Sequence, residues 1–161
     1  MSYAFPTEER KLGNYILDAL GAEEENLIAT YDFGTFPMRV QSLNRTLIDK
    51  VFAVCDYYLQ DKPHRNARHL YDIYKLTEYV DMDSDFLELV KEVRAHRIAM
   101  GSEIAPAAPM DVNIVEVVQK ICDEDFYKED YRETTLKLIS DSLGYEMLKK
   151  HYKELVKKIF P

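Results

Sequence analysis

The chain has 161 residues, 47% of them hydrophobic and 31% charged, with a formal net charge of −8. That balance fits one globular domain with its own core, which needs neither a disulfide nor a structural metal to fold, and it argues against a nucleic-acid binder held by overall charge. The five glycines stand at least eight positions apart, so neither a P-loop nor a dinucleotide-binding turn, both of which need clustered glycines at the phosphates, can be written anywhere.

In chain order, residues 7–20 carry Leu12, Tyr15, Ile16 and Leu20 at helical spacing, with Gly21 as the stop and Glu23-Glu24-Glu25 as a solvated turn. Extended segments are expected at Leu27–Tyr31 and Phe36–Val40, joined by a hairpin connection at Asp32-Phe33-Gly34-Thr35, with Pro37 marking an edge strand. From Leu43 the pattern is helical almost to the end: about 44–60, 66–80, 84–100, 111–123, 130–142 and 145–159, with Gly101–Pro109 as the one obvious loop. The fold class is therefore mainly α, a bundle of about six to seven helices with a small β-hairpin element near the N-terminus, α+β overall. Residues 1–161 read as a single domain, with 43–161 forming the bundle. Cys55 and Cys122 lie among apolar residues and read as buried thiols of a reducing compartment. The start MSYAFPTEERK has no apolar signal region and no stretch reaches the roughly 20 apolar residues of a membrane span, so a cytoplasmic location without membrane attachment is expected.

On the helix near 44–60, Leu43, Leu47, Val51, Val54 and Tyr58 form the buried stripe, with Arg45, Asp49, Phe52 and Asp56 on the far side. Lys50 falls about 60° from Leu47, at the edge of the stripe beside Thr46 and Tyr57. A lysine there presents its ammonium along an interface, as a phosphate-binding lysine does; the plain alternative is a side chain snorkelling at a core boundary. On the next helix Asp72 shares a column with Arg68, Leu76 and Tyr79. Its partner is either Arg68, at i−4, or Lys50 from the preceding helix. Lys62, His64, Arg65, Arg68 and His69 make the densest basic cluster of an acidic chain, suited to triphosphate or RNA phosphates, or merely to a solvated turn.

The run Arg45-Thr46-Leu47-Ile48-Asp49-Lys50-Val51-Phe52-Ala53, followed by Arg68-His69-Leu70-Tyr71-Asp72-Ile73-Tyr74-Lys75-Leu76, resembles the AbiEii/AbiGii toxin family of nucleotidyltransferases. Val93-Arg94 with Arg97, Asp111-Val112-Asn113, and Tyr127 to Asp130-Tyr131 extend the match in order. The resemblance implies transfer of a nucleoside monophosphate from a nucleoside triphosphate to an acceptor such as tRNA. It implies Lys50 and Asp72 as catalytic residues, the lysine on the triphosphate and the aspartate orienting it or positioning the acceptor hydroxyl. Arg45, Thr46, Arg65, Arg68 and His69 are the candidate substrate-binding residues beside them.

The family's other active-site half is a sheet with a Gly-Ser signature and metal-binding aspartates, which normally precedes these motifs. Gly101-Ser102 with Asp111 and Asn113 follows them instead, lies in a Pro-rich loop and offers an amide as its second acid, so it is not that motif. Asp81, Asp83, Asp85 and Glu92 occupy EF-hand positions, but Phe86 stands where the loop needs glycine. No metal ligand is assigned. The chain is expected to be the C-terminal, mostly helical portion of a two-part enzyme, with residues 1–42 a short helix and hairpin remnant of the sheet region. It would be inactive alone, and would bind Mg²⁺ and nucleoside triphosphate only with a missing N-terminal half or a split-gene partner. Further expected partners are an antitoxin protein, a tRNA or RNA acceptor, and a second copy joined at the sheet edge near Leu27–Val40. The alternative is a non-catalytic helical module binding an antitoxin-like protein or RNA. A helical ribonuclease fits less well, because Arg65 and His69 are separated by only three residues.

Overall fold

A strand exposes its backbone hydrogen-bonding groups to a neighbour, and the first element of the chain, Thr7–Leu12 (β1), finds one in Phe36–Gln41 (β2). The computed structural model describes residues 5–13, 15–19, 25–140 and 143–160 and divides into two compact units, Met1–Ser42 and Leu43–Pro161. In the first, β1 and β2 form an antiparallel ribbon that pairs Thr7 with Gln41 and Leu12 with Phe36. Between them lie two short helices, Tyr15–Ala19 (α1) and Glu25–Tyr31 (α2).

Two expectations are corrected here. Residues 7–12 are strand, not helix: Glu8 and Arg10 share a strand face and bond at 3.0 Å, and Glu9 lies opposite Arg39 across the ribbon. Pairing with a distant segment overrides the local helical spacing, whose apolar members Tyr15 and Ile16 remain exposed. Residues 27–31 are helix, not strand, so β2 pairs with β1 rather than with this segment. The turn after them is a helix stop: Asp32 takes φ 54° and the Phe33 amide donates back to the Ile28 carbonyl at 3.0 Å. Pro37 sits where an edge tolerates a missing N–H. Gly21, Glu23 and Glu24 lie outside the described residues.

The second unit runs Leu43–Leu59 (α3), Arg68–Leu76 (α4), Ser84–Ala99 (α5), Ile114–Asp123 (α6), Lys128–Glu133 (α7), a 3₁₀ turn at Thr135–Lys137, and Tyr145–Ile159 (α8). The molecule is thus mainly helical with a small β element, as its patterning implies. Asp61 after α3 and Asp125 after α6 repeat the Asp32 device, each left-handed and each followed by an amide donating five residues back. In a chain so poor in glycine, aspartate fills this position because its short polar side chain tolerates it. Asp83 accepts from the Phe86 amide at 2.9 Å and starts α5, so the acidic run at 81–85 is a helix cap. Asn113 caps α6 through the amides of Val115 and Glu116, and its own amide reaches the Glu116 carboxylate at 3.0 Å. The helix expected over 130–142 stops at Glu133, where the Thr134 hydroxyl bonds the Asp130 carbonyl at 2.6 Å and competes with a further helical turn. Residues 141 and 142 of that span lie outside the described residues.

Helix α3 is the axis of the core. It packs on α4, α5 and α6, while α8 packs on α4 and α6. Leu47, Val51 and Val54 are fully buried, and so are Phe52 and Cys55 on other faces; Cys122 is a second buried free thiol. The far side of α3 is therefore not wet. Arg45 and Asp56 are buried there as well, because α5 covers what a one-sided helix would leave to water. Two phenols anchor the axis from the far end of the chain: Tyr127 donates to the Val54 carbonyl at 2.7 Å and Tyr152 to the Val51 carbonyl at 2.9 Å.

The buried Asp56 carboxylate accepts from the Ala107 amide at 2.8 Å and from Arg97, which also reaches Asp49 at 3.4 Å and lies over the Phe52 ring. Burial pushes the Asp56 carboxyl upward, against the pull of the Ala107 amide and Arg97. Replacing Arg97 by Met leaves that carboxylate without its cation and is expected to cost about 3 kcal/mol in urea denaturation. Adding Asp56→Asn to Arg97→Met is expected to recover part of the loss, and a double variant less stable than the single one would contradict this account.

Candidate functional site

Lys50 and Asp72 are 22 positions apart, yet the packing of α3 on α4 brings the ammonium to 2.7 Å from the Asp72 carboxylate. The apolar sides of both helices make this meeting possible: Leu47 and Val51 from α3 and Leu70 and Ile73 from α4 lie in one buried cluster. Lys50 and Asp72 stand at the margin of that cluster, with side chains 25% and 36% exposed, so both are reachable by a ligand. Of the two partners open to Asp72, the structure pairs it with Lys50, whereas Arg68 is exposed and makes no ion pair among the described residues.

His69 completes the group. Its Nδ1 lies 3.5 Å from the Lys50 ammonium and 3.9 Å from Asp72, and its ring stacks on Tyr57 with the planes 6° apart. Burial is the main cause that lowers its pKa to about 4, followed by the Lys50 charge; Asp72 opposes and Arg68 adds to the lowering. The neutral ring therefore turns the lone pair of Nδ1 to Lys50 and keeps its proton on Nε2. With Asp72 and His69 as acceptors, one of the three N–H groups of Lys50 is left for a ligand. An ammonium held by two side chains, partly out of water and with a donor to spare, is suited to bind an anion such as a phosphate.

The remaining candidates are spread more widely. Arg45 is buried and bonds Asp49 at 2.9 Å, and Thr46 is half-buried one helical turn before Lys50. Arg65 and Arg68 are exposed at the start of α4. The other residues that carry the resemblance are structural: Arg94 donates to three carbonyls, those of Ala108, Pro109 and Val112, and so holds the Pro-rich loop. Asp130 is the residue whose importance sequence reasoning missed. Its buried carboxylate accepts from the amides of Arg65 at 2.7 Å and Ala67 at 2.9 Å, across more than sixty positions, and thereby fixes the turn from which α4 departs. Only its place in the quoted Asp130-Tyr131 pair signalled it.

A resident divalent ion does not fit these residues. Asp72 is already committed to Lys50, and among the described residues no group of three or more His, Cys, Asp or Glu could hold a metal.

Two measurements follow from the geometry. An unfolded histidine takes up its proton near pH 6.5, while folded His69 does so only near 4. The neutral ring thus contributes stability that is complete above about 6.5 and is lost as the pH falls towards 4, up to about 3 kcal/mol. NMR titration of the His69 ring is expected to give a midpoint near 4, and a midpoint near 6.5 would remove the contribution. Asp130→Ala strands two amides and is expected to cost about 3 kcal/mol, while Asp130→Asn, which keeps one acceptor oxygen, costs less.

No helix among the described residues is long and apolar enough to cross a membrane. No curated protein and no solved structure matched the chain. The family model described as nucleotidyl transferase AbiEii toxin, type IV TA system, matches residues 2–161. Membership in a type IV toxin–antitoxin family implies an antitoxin partner. The pairing of Lys50 with Asp72 lies within the matched span, and the chain belongs to the AbiEii nucleotidyl transferase toxin family.

Proposed function

We propose that Lys50 and Asp72 form the triphosphate-gripping part of a nucleotidyl transferase that passes a nucleoside monophosphate to an RNA acceptor such as tRNA. The observation that carries this reading is the 2.7 Å ion pair between two partly exposed side chains on different helices, with neutral His69 behind the lysine. An acceptor hydroxyl attacks the α-phosphorus, a P–O bond forms, and the bond to the bridging oxygen breaks as pyrophosphate leaves. Negative charge grows on the leaving pyrophosphate, where a fixed ammonium stabilises it better than mobile water does. Asp72 orients that ammonium. Since the donor set beside Lys50 does not suit a divalent ion, a Gly-Ser sheet with its own carboxylates is taken to come from a further segment or a partner chain.

The test incubates the chain with labelled nucleoside triphosphates, Mg²⁺ and total RNA, alone and together with a chain carrying the Gly-Ser sheet. No label is expected on RNA from the chain alone, and transfer is expected from the pair. Within the pair, Lys50→Ala and Asp72→Ala are each expected to lower transfer by about 10²–10³. Robust labelling by the chain alone overturns the two-part reading, and full activity in both variants overturns the roles of the two residues. Binding of an antitoxin or RNA without transfer under either condition favours a non-catalytic interaction module instead.

A further inference from the structure

The start of α4 and the 3₁₀ turn at Thr135–Lys137 face one another across a cleft of about 480 Å³. Arg65, Arg68 and Lys137 line it, with Glu133 as the one carboxylate, so its walls carry a net positive charge in a chain of net charge −8. The three cations are exposed, and among the described residues none of them makes an ion pair. Other cations of this unit are neutralised within their own helix: Lys91, Lys128, Arg132 and Lys149 each pair with a carboxylate three positions away. Thr135 lines the same cleft, is 97% buried, and its hydroxyl finds no hydrogen-bond partner among the described residues. A hydroxyl left without a partner is costly, and such a group calls for an explanation. Arg65 is held at φ 63°, a backbone state unfavourable for arginine, while Asp130 grips its amide.

We propose that this cleft is a phosphate subsite for the backbone of a polynucleotide acceptor. The inference rests on the transfer function proposed above and adds the place where the acceptor strand lies. Arg68 and Asp72 are one helical turn apart on the same face of α4, about 6 Å along its axis, so Arg68 links the wall of the cleft to the helix face that carries Asp72. A strand whose terminal hydroxyl reaches that pair runs its preceding phosphates past Arg68 towards Lys137. Long, separately mobile cations suit a diester backbone, with one charge at each phosphate. A triphosphate concentrates its charge at one point and is better met by convergent donors, as at the Lys50 ammonium, than by three cations spread along a cleft.

The test measures fluorescence anisotropy of the full chain with a labelled single-stranded oligoribonucleotide of about ten nucleotides, over a series of KCl concentrations, beside parallel titrations with ATP and pyrophosphate. Lys137→Gln and Arg68→Gln are each expected to weaken the oligonucleotide about 3- to 10-fold and to reduce the slope of log K against log salt by about 0.7. ATP and pyrophosphate binding are expected to be unchanged by Lys137→Gln. Lys91→Gln, remote in sequence and paired with Glu88, is the control and should alter neither ligand. The proposal is overturned if the wild-type chain does not bind the oligonucleotide, or if Lys91→Gln weakens it as much as Lys137→Gln. It is also overturned if Lys137→Gln weakens ATP and spares the oligonucleotide, which would assign the cleft to the triphosphate. Because binding is the readout, failure of Lys50 and Asp72 as transfer residues leaves this result standing, and failure of the cleft leaves theirs.

Discussion

One buried carboxylate sets the geometry on which the rest of the candidate site depends. Asp130 receives the amides of Arg65 and Ala67, on the turn where the chain comes out of α3 and enters α4. Both amides lack partners within α4, so an acceptor brought from α7 satisfies them and fixes the direction in which α4 leaves. Everything that projects from α4 follows: His69 against Tyr57, Asp72 on Lys50, and Arg68 on the cleft. The same helix that carries Asp130 leads directly into Thr134 and Thr135, so one side chain determines the separation of the two walls of the cleft.

The residues that mark the family divide into two kinds. Arg94, Arg97, Asp130 and Tyr127 are spent inside the fold on backbone carbonyls, amides or a buried carboxylate. Their net effect is to hold α3 and α4 in one arrangement. Lys50 and Asp72 differ because their ion pair sits at a partly exposed margin, where it stabilises little and stays available. The pair contributes little to folding, yet the buried contacts around it hold its two helices in place. The buried Asp56–Arg97 contact is the opposite case, inaccessible and essential to the packing of α5 on α3.

Much of the helical unit was legible because α3, α5 and α8 carry long periodic patterns and clear stops. The boundaries that slipped are those decided by single side-chain bonds, such as Thr134 on the Asp130 carbonyl. The N-terminal unit was misread for a different reason. The residues from Thr7 to Leu12 fit both a helical turn and a strand, and only the presence of Phe36–Gln41 as a partner separates them. Leu27–Tyr31 has β-forming residues, yet it closes as a helix with an aspartate at the left-handed stop.

By itself, the sequence determined the helical class, the scarcity of glycine that excludes a phosphate loop, and the position of Lys50 at the edge of an apolar stripe, because each depends on local spacing. The tertiary structure alone decided that Asp72 pairs with Lys50 rather than Arg68, that His69 lies against the lysine, and that Arg45 and Asp56 on the far side of α3 are buried. It also decided that Arg65, Arg68 and Lys137 share one cleft. The reason is physical: burial and ion pairing are properties of surfaces brought together from distant parts of the chain, and the spacing within one helix carries no record of what packs against it.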